Sequence, residues 1–145
     1  MFKHILLPTD GSPFSEIAIE RGIALAKTID AHVTGLHVIE PFHVFFGGAE
    51  MMGDTKEQYD KDSLIRAQKY LDSLTAAAKQ AGVSCDCVSE KSGHPFEAII
   101  GAAEKRGCDL IVMASHGRRG IRGLLVGSET IKVLTHTKIP VLVLR

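Results

Sequence analysis

Between its last two apolar runs the chain reads Met113-Ala114-Ser115-His116-Gly117-Arg118-Arg119-Gly120-Ile121-Arg122-Gly123-Leu124-Leu125-Val126-Gly127-Ser128-Glu129-Thr130. A buried strand gives way to a loop of glycines and arginines, and a helix begins near Gly127-Ser128. A helix start carries unpaired N–H groups and roughly half a positive charge. Glycines let backbone amides approach phosphate oxygens with no Cβ in the way. Ser128 can cap the helix or donate its hydroxyl to a phosphate, and Arg118, Arg119 and Arg122 add cationic charge. Singly, each feature has a plainer use: Ser128 as an N-cap, the glycines as turns, the arginines as a solvated rim. Together, at a strand end and a helix start, they point to anion binding.

Asp10 follows the first apolar run and belongs at the same sheet edge as Ala114 if the two strands are neighbours. A carboxylate there can accept hydrogen bonds from ribose hydroxyls or hold a divalent metal. It can equally cap the first helix or shape the Pro8–Pro13 turn.

Other chemistries find less support. The seven histidines, at 4, 32, 37, 43, 94, 116 and 136, lack the spacing that sets two metal ligands on one helix face. Cys85 and Cys87 read as core thiols on one face of a strand, and no metal site is expected. No Ser–His–acid set or carboxylate pair stands at an expected cleft. The glycine loop lacks the Gly-Lys-Ser/Thr ending of a P-loop, so a catalytic role is not expected.

Five apolar runs alternate with helical patterns. The runs are Ile5–Leu7, Val33–Ile39, Val83–Val88, Leu110–Met113 and Val141–Leu144. The last two are apolar without alternation, as in strands buried on both faces of a parallel sheet. Helices are expected from about Phe14 to Ile29 (Ile17, Ala18, Leu25 and Ile29 inward) and from Lys56 to Ala81 (Leu64, Ala67, Leu71, Leu74 and Ala78 inward). A third follows Pro95 with Phe96, Ile99, Ile100 and Ala103 inward, and a fourth runs from Gly127-Ser128 to before Lys138. This alternation defines an α/β fold, a parallel sheet with helices on both faces and right-handed connections. Residues 42–53 combine aromatics, methionines and glycines, and read as a lid over a site, an oligomer interface or an ordinary packed connection.

At 145 residues the chain has the length of one domain, able to bury about 68–70% of its unfolded surface. Its apolar fraction of 45% and charged fraction of 23% are those of a globular protein. A formal net charge of zero argues against nucleic acid or an anionic membrane as the main partner. No signal-peptide pattern or membrane-spanning run is visible. Three cysteines give no disulfide framework. A cytoplasmic location is expected.

Ile5-Leu6-Leu7-Pro8-Thr9-Asp10-Gly11-Ser12, Leu36-His37-Val38-Ile39, and the Ser115–Thr130 loop before Pro140-Val141-Leu142-Val143 together resemble the universal stress protein family, over essentially the whole chain. Its ATP-binding branch has a glycine, two residues, a second glycine, nine residues, then Gly-Ser or Gly-Thr. Gly117 and Gly127-Ser128 fit that pattern, whereas Ala114 replaces the first glycine. Alanine permits ordinary extended backbone there, so the departure bears on affinity and not on fold.

The resemblance implies a five-stranded parallel sheet in the order 3-2-1-4-5, Rossmann-like and akin to the adenine nucleotide alpha hydrolases. It implies an adenine nucleotide, ATP with Mg2+ or Mn2+, as ligand. Val38 would present main-chain groups to adenine, with Pro8 and Thr9 nearby, and Asp10 and Ala114 would face the ribose. Gly117, Gly127, Ser128 and Glu129 would hold phosphates, with Arg118 or Arg119 as counter-charges, and Met113 and His116 flanking. It further implies a homodimer through Val141–Leu144, an otherwise exposed apolar edge, and a stress-response regulator with a protein client. The alternatives are a nucleotide-independent docking module and a weak ATPase.

Overall fold

The computed structural model describes residues 1–42, 52–117 and 126–145. In chain order its elements are β1 (His4–Thr9), α1 (Pro13–Ile29), β2 (His32–Ile39), α2 (Met52–Ala81), β3 (Cys85–Lys91), α3 (Pro95–Arg106), β4 (Leu110–Ala114), α4 (Ser128–His136) and β5 (Val141–Leu144). The strands form one parallel sheet in the order β3-β2-β1-β4-β5. The expected fold class and strand order are therefore those observed.

Successive side chains of a strand point to opposite faces, and the core divides accordingly. Ile5 and Leu7 of β1 pack with Ile19, Ile23 and Ala26 of α1 and with Leu74 and Ala78 of α2. Leu6 and Leu36 pack on the other face with Ile99, Ala102 and Ala103 of α3 and Val133 of α4. Ile5, Leu6 and Leu7 are fully buried, each contributing about 1.5–3 kcal/mol through its burial.

Helix ends follow their sequence signals. Ser12 caps α1 by accepting from Ser15 N–H at 3.2 Å, with Pro13 in the first turn. Gly107 ends α3 in the left-handed region.

Three expectations need correction. Ile17 and Leu64 are exposed rather than inward. The buried stripe of α1 runs through Ala18, Ile19, Gly22, Ile23 and Ala26, and Ile17 lies one helical step beyond it. β3 begins at Cys85 and continues through Ser89, Glu90 and Lys91. Those polar residues pair with His37, Val38 and Ile39 at the sheet edge, where hydrogen bonding does not require apolar side chains. The Cys85 and Cys87 side chains do face one side, half-buried against the cluster under α1 and α2.

Candidate nucleotide site

The chain winds outward from β1 through β2 to β3, then returns to place β4 on the other side of β1. Strand order thus reverses between β1 and β4, and ligands of such sheets bind beyond the strand ends at that point. A cavity of about 590 Å³ opens there, within the range of small-molecule sites.

Every described residue expected at the site lines this cavity: Pro8, Thr9 and Asp10 at the end of β1, Val38 on β2, Met113, Ala114, His116 and Gly117 at the end of β4, and Gly127, Ser128 and Glu129 at α4. Arg118 and Arg119 lie outside the described residues, as do residues 43–51 of the segment read as lid or interface. Phe42, at its start, packs its ring 5.3 Å from that of Tyr59.

Each element sets its residues by local chemistry. Asp10 shapes the turn after β1, accepting from Ser12 N–H at 2.9 Å. The next turn residue, Gly11, has φ +75°, a conformation glycine adopts at no steric cost. The Tyr70 ring of α2 fills the space beside it, only 2.2 Å from where a Cβ would be. Thr9 is buried, its hydroxyl 3.2 Å from that of Ser15. Ala114 is the last residue of β4, paired with Leu144, and among the described non-glycine residues only Asp30 has positive φ. Nothing in the backbone at 114 therefore requires glycine.

The loop glycines are close-approach positions. A Cβ on Gly117 would lie 2.6 Å from Asp10 Oδ2, and one on Gly127 would lie 3.1 Å from the Ser115 carbonyl oxygen. Gly127 N–H donates to that same carbonyl at 2.6 Å. Gly127 is itself the N-cap of α4 and supplies no capping side chain, so Ser128 is the first helical residue rather than the cap. The Glu129 carboxylate accepts from Phe96 N–H at 3.0 Å and from Lys132 Nζ at 2.8 Å. With its carboxylate committed, Glu129 can offer a phosphate only its backbone. His116 places Nδ1 3.0 Å from Ser115 Oγ, while its Nε2 is buried with no hydrogen-bond partner among the described residues.

Sequence reasoning missed a wall of the cavity. Tyr59, Ser63, Arg66 and Tyr70 of α2 line it. Their spacing of four, three and four marks one helix face, a signal present in the chain beside the stronger apolar stripe. His37 was also missed; its Nδ1 lies 2.8 Å from the Thr9 carbonyl oxygen and its ring 5.2 Å from that of Tyr70. The pairing of β1 with β2 stops at Thr9 and His37, whereas β2 and β3 continue to Ile39 and Lys91. Beyond His37, the β2 edge that faces β1 consequently has no strand beside it among the described residues.

A doubly wound parallel sheet with a cavity at its switch point defines a broad class, and sequence comparison narrows it. The family described as "Universal stress protein family" matches residues 1–145, and the chain belongs to that family. Universal stress protein MJ0531 of Methanocaldococcus jannaschii is 31% identical over 149 residues, spanning 100% of this chain and 83% of its own. Universal stress protein MJ0577 of the same organism is 31% identical over 157 residues, spanning 100% and 96%. The solved structure of MJ0577 superposes with a TM-score of 0.80 over 99% of this chain and 96% of that one, at 29% identity. A universal stress protein solved in complex with cAMP shares the fold, with a TM-score of 0.71 at 24% identity over 99% and 97%.

Proposed function

We propose that this protein is an adenine-nucleotide-binding regulator that takes ATP, works as a homodimer and is not primarily catalytic. The observation that carries the reading is the layout of the cavity at the β1/β4 switch point. At one side lies the β2 edge beyond His37, which no strand among the described residues covers and which suits main-chain recognition of a purine. At the other lies the start of α4, where the glycine N-cap leaves the first-turn amides that follow it uncovered by a capping side chain. Asp10 stands with Gly117, an arrangement that suits ribose hydroxyls. His116 Nε2, buried without a hydrogen-bond partner among the described residues, is a further polar atom in want of one. The relative solved with cAMP supports an adenine ligand.

The described lining holds no lysine to reach a transferring phosphoryl group, which favours binding over turnover. A divalent ion, Mg2+ or Mn2+, would travel with the phosphates. The response to the nucleotide is then a shift between conformational or assembly states read by a client protein. The dimer would form through β5, an edge strand with Leu142 exposed.

Thermal unfolding with and without millimolar Mg-ATP tests this reading, with Mg-GTP as control. Ligand at 100 times its Kd adds about 2.7 kcal/mol of stability, a shift of several degrees at this size. A rise with ATP and not GTP is expected. No rise with either nucleotide would sink the reading and leave the nucleotide-independent docking module.

A further inference from the structure

The opposite edge of the sheet holds a side-chain cluster that the nucleotide reading does not use. His4 opens β1, His32 opens β2, and the two are direct neighbours in the parallel register. Their rings meet edge to face, 4.7 Å between centroids. Asp86 of β3 points the same way, away from the Cys85 and Cys87 thiols on the other face. Thr34 Oγ1 is the hub, 2.8 Å from His4 Nε2 and 2.7 Å from Asp86 Oδ1, and His32 Nε2 lies 2.7 Å from that same carboxylate oxygen.

We propose that His4, His32 and Asp86 form a binding site for a divalent transition-metal ion of the Zn2+ kind, with water completing the coordination. One ligand atom from each of the three residues falls in a group whose members all lie within 4.8 Å of one another. Tetrahedral zinc with bonds of about 2.0–2.1 Å needs separations of about 3.3 Å, so modest side-chain rotations suffice. Two imidazoles and one carboxylate are the donors of open zinc sites, and imidazole disfavours Mg2+ and Ca2+.

The outer groups fit the same assignment. His32 Nδ1 lies 2.9 Å from Ser84 Oγ, which fixes the ring, and Arg106 engages Asp86 Oδ2, leaving Oδ1 to face the histidines. Such partners orient metal ligands. The side chains of His32 and Asp86 are 36% and 42% exposed, so an ion can enter and keep a water. The cluster lies across the sheet from the nucleotide cavity and does not depend on it.

The test is calorimetric titration of chelator-stripped full-length protein with ZnCl2 alone. One Zn2+ per chain is expected, weakened at least about tenfold in His32→Ala and in Asp86→Asn. Cys87→Ser and excess Mg2+ should leave the isotherm unchanged. Should either ligand variant fail to fold, by circular dichroism, the Co2+ spectrum of the unmodified protein decides. Strong visible bands of four-coordinate Co2+ without a thiolate charge-transfer band support the site. A thiolate band, no saturable binding, or unchanged affinity in folded His32→Ala and Asp86→Asn would overturn it.

Discussion

Asp10 Oδ2 lies 2.6 Å from the point where a Cβ on Gly117 would begin. The first β–α turn and the loop after β4 therefore meet at one carboxylate oxygen, and the absence of a side chain at 117 is a condition of that meeting. In Gly117→Ala the Asp10 carboxylate must swing away. A charged hydrogen bond is worth about 1.5–3 kcal/mol, so ATP affinity measured by calorimetry should fall about tenfold or more while the exposed position leaves folding intact. Unchanged affinity would remove Asp10 from the site.

Gly127→Val should act more severely. A Cβ there begins 3.1 Å from the Ser115 carbonyl and 3.4 Å from His116 Cα, and the branched methyl groups would crowd the start of α4. Its φ of −72° and ψ of 158° suit any residue, so backbone strain is not the cause. ATP-dependent thermal stabilisation should vanish while the far-ultraviolet circular dichroism persists.

Gly11→Ala combines a left-handed conformation with a collision against Tyr70. We expect a loss of about 1–3 kcal/mol in urea unfolding. In a Tyr70→Ala background the steric part should disappear and the conformational part remain. A double-mutant cycle reads the difference as a coupling energy, and strict additivity would show that the ring yields freely.

Acid should expose the tie between β1 and the start of β4. The Asp109 carboxylate accepts N–H donation from His4 at 2.9 Å and from Lys3 at 2.9 and 3.1 Å. Burial pushes the Asp109 carboxyl upward, but the His4 and Lys3 amides outweigh it and hold it below the usual carboxylate range. A lowered folded value means stability present above about pH 4 and lost as pH falls through the folded value. Asp109→Ala should therefore cost about 1 kcal/mol at pH 7, and the gap in Tm from the unmodified protein should close on acidification. A gap that persists at pH 2–3 (on the order of the lowest carboxylate values) would point to packing instead.

The edge strand gives a prediction about assembly. Leu142 is 39% exposed on β5. A charge on an edge strand opposes pairing with another chain, so Leu142→Asp should convert a dimer to monomer in sedimentation velocity. A dimer unaffected by the change would place the interface elsewhere.

The strand order was legible because a family resemblance carried it, and the element types because apolar runs and 3.6-residue stripes did. What escaped was set by partners rather than by local pattern. Glu90 and Lys91 are in a strand because Val38 and Ile39 lie beside them, which hydropathy does not record. The α2 wall escaped because Tyr59, Ser63, Arg66 and Tyr70 share a helix face whose target lies on other elements. The histidines looked unpaired along the chain because His4 and His32 meet only through sheet register. Gly117, Gly127 and Asp10 were readable as neighbours at one strand edge, since close backbone approach leaves a compositional trace.

The clasp between Glu129 and Phe96 gives the cavity a direction. Helix α3 begins with a carboxylate from its neighbour already on its first-turn amide, so its positive end carries an internal counter-ion. Helix α4 begins with a glycine and has no such partner from its own cap. Two helix starts at one sheet edge are thereby made unequal: a side chain already occupies the Phe96 amide of α3, whereas the glycine N-cap of α4, with Glu129 in its own first turn turned toward Phe96 and Lys132, brings no side chain to the amides there. On the proposed reading, a ligand with one charged end and one flat apolar end lies with its phosphates at α4 and its ring toward β2. The polarity of such a molecule would then be set in part by a residue whose carboxylate need not touch it.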